Sequence, residues 1–295
     1  VFTPTHTRQG VVIATAVHHT RALLETIERS PNVKSVTRVT NNEDPGIEIG
    51  QFTVSPADDV LLMELISKEP EWEKQYVVGT EDTLAKIAAA YDLDENDIRS
   101  DNRLGNDGPI RAGQTLRLVS YERYSNVWKQ TVGTHSRTRM TFGKSHDLDP
   151  ELTHDGKLAY FASDRTSNQL TLWRINALSP AGVTKITATQ ANDREPSIFP
   201  DGQIIAFESL PDGSDAWQIW TVQANGLLPS QLREGRRPRV SPDGEKILFM
   251  RPDRDSGVSQ VWMMSADGSN ETQLTQNRDH ETVDAEWSPD GQWIV

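Results

Sequence analysis

A short turn sequence that recurs along the chain constrains the possible fold more than any other feature. It reads Ser-Pro-Asp-Gly in its full form, and it or a weaker variant occurs at residues 2–4, 55–59, 153–156, 199–202, 241–244 and 288–291. Counted from residues 154, 200, 242 and 289, the last four turns lie 46, 42 and 47 residues apart. Asp-Gly pairs favour tight hairpin turns, because glycine accepts a positive φ and aspartate tolerates it. A regular period of this length indicates a repeat architecture.

The residues around each turn repeat as well. A β-like apolar run follows the turn, as in residues 203–207, and a short strand such as residues 185–187 ends the unit. Between them comes an aliphatic residue followed by a tryptophan, at Trp128, Trp173, Trp220 and Trp262. Counting the strand before the turn, each repeat has four short strands, here named A to D in chain order, which is typical of a β-propeller blade. We expect the tryptophans to pack between blades rather than to bind a ligand.

The blade count follows from the same pattern. Residues 21–29 have helical propensity, but residues 24–40 align with the C and D strands at 172–187, and residues 10–15 align with strand B. We therefore predict strands over residues 10–40, because tertiary context overrides propensity. About five blades plus strands A and B of another are present, and the first blade lacks most of strand A. A closed ring needs its first and last blades to meet, so six blades are predicted for the complete protein.

One blade carries an insertion between its B and C strands. Residues 56 and 154 lie 98 residues apart, about twice the usual step, and the excess falls between strand B at 60–66 and strand C at 126–131. The intervening segment is predicted to form a βααβ module, with strands at 76–78 and 113–118, a helix over 83–91 with Asp82 as N-cap, and a helix from 95 to about 102. The predicted domains are propeller at 1–75, module at 76–118 and continued propeller at 119–295.

The inserted segment resembles the LysM family. The resemblance rests on Tyr76-Val77-Val78, Asp82-Thr83-Leu84, Ile87-Ala88, Asn102 and Gly113-Gln114-Thr115-Leu116, and it covers the whole module. LysM modules bind N-acetylglucosamine-containing glycans such as peptidoglycan and chitin. The resemblance implies a groove between two loops, formed by Gly79, Thr80, Glu81, Asp82, Thr83, Leu84, Asn106, Asp107, Gly108, Pro109 and Ile110. Glu81 departs from the family pattern, which has glycine before the aspartate, and a decayed module with a purely structural role is the alternative.

The propeller repeats resemble the TolB family, over roughly residues 1–75 and 119–295. That family is mostly periplasmic and acts in protein–protein contacts of the bacterial cell envelope. The resemblance therefore implies an exported protein of the periplasm or cell envelope, with an envelope protein as partner. The Pro-Asp-Gly repeats indicate this class of propeller but do not specify one function, because a fold does not determine its function.

Polar D–A connections are the second candidate site. Strands A to D alternate in direction, so D–A and B–C connections share one face, and we expect this rim and the module to form one composite surface. The predicted rim-binding residues are Asn42, Asp44, His146, Asp147, Asn192, Arg194, Arg236, Arg278 and His280. His146 and His280 stand beside aspartates, and such pairs can bind metal or exchange protons. No accompanying motif supports that chemistry, so solvated loops are the simpler interpretation.

The overall composition limits the classes of binding partner and the structural features to expect. The 295 residues carry a formal net charge of −13, which disfavours nucleic acid. The sequence has no cysteine and no run of 18 apolar residues, so we expect neither disulfides nor a transmembrane segment within it. It opens without a signal peptide and stops within an apolar run at residues 292–295, which suggests a piece of a longer protein.

The expected function is binding without catalysis. We predict no catalytic residue, no metal and no cofactor, because no nucleophile elbow, metalloprotease motif or phosphate-binding loop is present. The module would contact peptidoglycan or a chitin-like glycan, and the propeller a protein. The alternative is the propeller portion of a peptidase or polysaccharide-degrading enzyme whose catalytic domain lies outside these residues.

Overall fold

The computed structural model divides the chain into two compact units, residues 1–66 with 125–295, and residues 67–124. It describes residues 2–6, 12–16, 47–54, 60–105, 108–131, 134, 136–180, 182–277, 282, 284–288 and 290–294. The first unit is built of β-strands, whereas the second contains both helices.

Four antiparallel sheets of four strands each make up most of the described chain. Strands follow one another in chain order within every sheet, which is the meander topology predicted for a blade. The first sheet is β3 (Ile47–Val54), β4 (Val60–Val77), β5 (Thr115–Thr131) and β6 (Arg137–Arg139), and the second is β7 (Asp147–Leu152), β8 (Leu158–Ser163), β9 (Thr171–Asn176) and β10 (Val183–Lys185). The third is β11 (Ala191–Ile198), β12 (Ile204–Pro211), β13 (Gln218–Gln223) and β14 (Ser230–Glu234), and the fourth is β15 (Arg236–Val240), β16 (Lys246–Pro252), β17 (Ser259–Ser265) and β18 (Thr272–Gln273).

A two-stranded sheet precedes them. Strand β1 (Phe2–His6) pairs antiparallel with β2 (Val12–Ala16). The strand predicted at residues 10–15 is thus found at β2, but residues 2–4 lie within β1, so their interpretation as a turn is wrong. The turn predicted at 55–59 and the strands predicted at 24–40 lie outside the described residues.

The Pro-Asp-Gly turns share a backbone hydrogen bond from the glycine N–H to the residue three positions earlier, and a hydroxyl residue at that position adds side-chain bonds. In the turn after β15, Ser241 Oγ donates to Asp243 Oδ1 at 2.5 Å, and the Gly244 N–H bonds to Ser241 O at 2.8 Å. Gly244 has φ of +75°, a conformation that side chains disfavour. The same serine accepts from the Lys246 N–H at 2.9 Å, which starts the next strand. These local contacts explain why the turn sequence closes the connection between the first and second strands of a blade.

Apolar residues between successive sheets form the propeller core. One cluster joins Leu62 and Val127 of the first sheet to Phe161 and Trp173 of the second. Two further clusters join the second sheet to the third and the third to the fourth, with Trp220 and Trp262 packed against them. The predicted packing between blades is confirmed for Trp173, Trp220 and Trp262, whereas Trp128 packs against a described cluster that lies within the first sheet.

The second unit holds the inserted module on two long strands. Strands β4 and β5 run without interruption from blade residues into the module, where separate short strands were predicted. Helix α1 (Leu84–Tyr91) and helix α2 (Glu95–Asp101) lie between them in the chain. Leu84, Ile87, Ile98, Leu116 and Leu118 form its buried core. Within the described chain, neither helix has the length and apolar character of a membrane span.

The helix caps differ from the prediction at one position. Thr83, not Asp82, is the N-cap of α1, and its hydroxyl accepts from the Lys86 N–H at 3.2 Å. Asp94 caps α2 by accepting from the Asn96 N–H at 2.7 Å. Asp82 is instead available for the loop that precedes the helix.

Candidate functional site

The first loop of the module, residues 79–84, is organised by one carboxylate. Asp82 Oδ2 accepts a hydrogen bond from Tyr76 Oη at 2.7 Å and another from the Gly79 N–H at 2.6 Å. These two donors lower the pKa of Asp82 below its ordinary value. The carboxylate therefore ties the start of the loop to the end of strand β4.

The side chains of the other first-loop residues differ in their exposure to solvent. Thr80, Glu81 and Thr83 are exposed, whereas Leu84 is buried in the module core. Lys86 Nζ donates to Glu81 O at 2.9 Å and so holds the middle of the loop against the helix. The predicted contact of Leu84 with glycan can therefore involve its backbone but not its side chain.

In the second loop, residues 105–110, the structure describes residues 105 and 108–110. The Gly108 N–H bonds to Gly105 O at 3.0 Å, and Pro109 after it is exposed. Ile110 packs against the core cluster that also contains Leu84, so both loops end on the same apolar core. The predicted site residues Asn106 and Asp107 lie outside the described residues.

Helix α2 is fixed to the two long strands by charged pairs. Buried Asp97 receives Lys68 Nζ at 2.9 Å and Arg123 Nη2 at 2.5 Å. One turn later, Asp101 accepts from Tyr121 Oη at 2.8 Å, and burial, followed by this hydrogen bond, raises the pKa of the phenol to about 12. The helix that leads into the second loop therefore has a defined position within the module.

This arrangement suits recognition of neutral sugars. Thr80 and Thr83 of the first loop and Pro109 of the second are exposed, and the two threonines carry neutral hydroxyl groups. Such groups can pair with the acetamido and hydroxyl groups of a glycan, and their anchoring reduces the entropy lost on binding. Within the described residues, no group of three or more His, Cys, Asp or Glu side chains could hold a metal ion.

The predicted rim residues have varied surroundings. His146 is half exposed, and its Nδ1 lies 2.8 Å from Asp164 Oδ2 rather than pairing with the adjacent Asp147. Asp147 is fully buried, and it accepts from Ser163 Oγ at 2.6 Å and Arg165 Nη2 at 2.7 Å. The carboxylate of Asp147 therefore joins strands inside its blade and presents no binding group to a partner.

Three other rim residues also make internal contacts. Asn192 Oδ1 accepts from the Leu170 N–H at 3.0 Å. Arg194 donates to both oxygens of Asp149 at 3.0 and 3.1 Å, and Arg236 Nη2 lies 3.5 Å from Glu208. The remaining predicted residues lie outside the described part of the chain, namely Asn42, Asp44, Arg278 and His280.

Arg194 and Arg236 belong to a network that sequence reasoning missed, here called the interblade charge cluster. Its members alternate in sign and lie mostly on A strands of successive blades: Asp149, Arg194, Glu195, Glu208, Arg236, Arg237, Arg239, Asp284 and Glu286. The charged residues around Pro150, Pro196 and Pro238, at equivalent places in three repeats, are the sequence signal that could have revealed it.

Two acids beside this cluster have raised pKa values. Burial, followed by the charge of Asp149, raises the pKa of Glu64 to about 7. Burial, followed by the charge of Glu286, raises the pKa of Glu151 to about 8. Burial is thus the main reason that these carboxyls hold a proton near neutral pH.

Both the inserted module and the propeller resemble known proteins. Residues 76–119 match the family model of the LysM domain. An uncharacterized protein of Agrobacterium fabrum is 31% identical over 84 residues, which are 28% of this chain and 28% of that protein. TolB from Acinetobacter baumannii is 16% identical with a TM-score of 0.53, covering 79% of this chain and 44% of that one. Oligogalacturonate lyase from Vibrio parahaemolyticus is 12% identical with a TM-score of 0.55, covering 88% and 64% respectively.

The structural likenesses establish the fold, and the chain spans less than two thirds of each of these three relatives. The four-stranded meanders are TolB-like propeller blades, and the insertion lies between the second and third strands of one of them. The chain is thus a TolB-like β-propeller that carries a LysM domain within one blade.

Proposed function

We propose that the chain is a non-catalytic binding protein of the bacterial cell envelope. The LysM domain contacts N-acetylglucosamine-containing glycan such as peptidoglycan, and the propeller contacts a protein partner. The observation that carries the proposal is the LysM match over residues 76–119, where both candidate loops have side-chain anchors.

The geometry of the module supports glycan contact through the backbone. The first loop is tied by Asp82 and the second is closed by the bond between Gly108 and Gly105. Exposed loops of this size contact only a few sugar units, so the affinity of the module alone should be on the order of micromolar to millimolar.

The fold of the propeller is suited to the proposed contact with a protein partner. Its blades pack through continuous apolar clusters, so their connecting loops are held on a rigid scaffold. TolB-like propellers and LysM domains together favour a periplasmic or envelope location. A weak glycan contact and a separate protein contact would reinforce each other through effective concentration.

Calorimetric titration of the full chain with N-acetylglucosamine oligomers and soluble muropeptides tests the glycan contact. We expect saturable binding, weakened about 10-fold by Asp82→Ala because the first loop loses both hydrogen bonds to the carboxylate. Asp92→Asn is the control, since it removes one exposed negative charge from the same module outside both loops. Absence of binding by the unmodified protein at millimolar glycan would contradict the proposal.

A further inference from the structure

One arginine side chain forms hydrogen bonds to two backbone carbonyls of the second loop of the module. Arg99 lies in helix α2 with 21% of its side chain exposed, and its Nη1 donates to Gly105 O at 3.1 Å and to Gly108 O at 3.3 Å. Its Nε and Nη2 donate to Glu95 Oε1 at 3.2 and 2.8 Å. Four of the five N–H donors of the guanidinium are thereby used inside the protein.

We propose that Arg99 is a positioning residue of the glycan site, which sets the affinity by fixing the second loop without touching the sugar. The inference rests on the proposed glycan binding of the LysM domain. It adds a residue that the predicted set of loop residues does not contain.

The contacts between Gly105 and Gly108 restrict the backbone conformation at these two residues. Gly105 O accepts from both Arg99 Nη1 and the Gly108 N–H, so two donors meet at one carbonyl. A Cβ added at Gly108 would lie 3.2 Å from the Gly105 nitrogen, which shows how closely the two glycines approach. Both glycine carbonyls accept from the guanidinium, so Arg99 fixes their separation.

The arginine is itself held in place. Glu95 binds the guanidinium one helical turn away, and Asp97 and Asp101 fasten the same helix to strands β4 and β5. A planar guanidinium can reach two carbonyls and a carboxylate at once, whereas a lysine ammonium presents a point charge on a flexible stem. Gly105 and Gly108 are therefore held in place before the glycan arrives, which lowers the entropic cost of binding.

The test compares Arg99→Met, Arg99→Lys and Arg103→Gln in the full chain. Arg103→Gln is the matched control, because Arg103 is exposed and its loss removes one positive charge just after the same helix. Titration with N-acetylglucosamine oligomers measures affinity, and amide hydrogen exchange compares the Gly108 N–H with the amides of helix α1.

We expect affinity to fall about 10-fold in Arg99→Met, to fall less in Arg99→Lys and to be unchanged in Arg103→Gln. Exchange at Gly108 should accelerate in Arg99→Met while helix α1 stays protected, a pattern that general loss of module stability would not produce. Equal affinity of Arg99→Met and the unmodified protein would overturn the inference and leave the glycan-binding proposal intact. Absence of binding by the unmodified protein would overturn both.

Discussion

Arg239 on strand β15 donates through Nη2 to Glu195 on strand β11, at 3.0 Å and across the boundary between two blades. The same guanidinium lies 2.9 Å from Glu286 and 3.8 Å from Asp284, in the segment that follows the fourth sheet. One side chain therefore links three successive repeats. The link stabilises the propeller only while all its charges remain paired, because buried unpaired carboxylates are costly.

Replacing Arg239 should destabilise the propeller strongly. Arg239→Met keeps the apolar stem but leaves Glu195 and Glu286 without their main partner, which should lower the free energy of unfolding by about 3–5 kcal/mol. Arg233→Met is the control, because Arg233 is 47% exposed and lies 3.8 Å from Glu271. Urea denaturation monitored by tryptophan fluorescence measures both. Similar small effects from the two variants would show that the cluster contributes little.

Glu64 should make the protein less stable as the pH rises. The pKa of Glu64 is raised from 4.5 to about 7 in the folded chain, so folded Glu64 retains a proton that the unfolded chain loses within this interval. The contribution of Glu64 to the free energy of unfolding therefore falls from pH 4.5 to about pH 7 and stays low above it.

Glu64→Gln removes this titration. Its stability relative to the unmodified protein should increase by roughly 2–3 kcal/mol between pH 5 and pH 8. Denaturation at pH 5, 6, 7 and 8 measures the difference, and exposed Glu234→Gln is the control. A difference that does not change with pH would mean that Glu64 ionises normally.

Gly244 should tolerate substitution less well than the equivalent glycine of another blade. Gly244 and Gly156 have φ of +75° and +68°, so alanine is strained at both. A Cβ at Gly244 would also lie 3.1 Å from Pro200 Cδ in the neighbouring turn, whereas one at Gly156 meets nothing within 4 Å. Gly244→Ala should therefore cost about 1 kcal/mol more than Gly156→Ala in thermal or urea unfolding. An equal loss of stability in the two variants would show that backbone strain alone, and not the contact with Pro200, causes the destabilisation.

Asn102 should control the local stability of the module. Its amide donates to Ile98 O at 2.8 Å and Arg117 O at 2.7 Å and accepts from the Arg117 N–H at 2.6 Å. Asn102→Ala loses all three bonds and should lower the local opening free energy by about 2–3 kcal/mol. Amide hydrogen exchange of helix α2 in the full chain measures it, with exposed Asn96→Ala as control. Unchanged exchange would show that packing alone holds helix and strand together.

The sequence by itself determined the features that depend on neighbours in the chain. The Pro-Asp-Gly turns close through bonds such as Ser241 to Asp243, which span two residues, so their recurrence revealed the blades and their strands. The two module helices were found for the same reason, since their apolar faces and the cap at Asp94 are local. The insertion was visible because it interrupted an otherwise regular period.

The tertiary structure decided the features that depend on distant partners. Strands β4 and β5 continue through residues 67–75 and 119–125, where the sequence has no clear alternation of apolar and polar residues. Pairing between the two strands, and not the β-propensity of either segment, extends them. The interblade charge cluster joins residues about 45 positions apart, such as Arg194 and Asp149, and so pairs predicted rim arginines with buried carboxylates. Arg99 likewise looks like an ordinary helical arginine until folding places two loop carbonyls beside it.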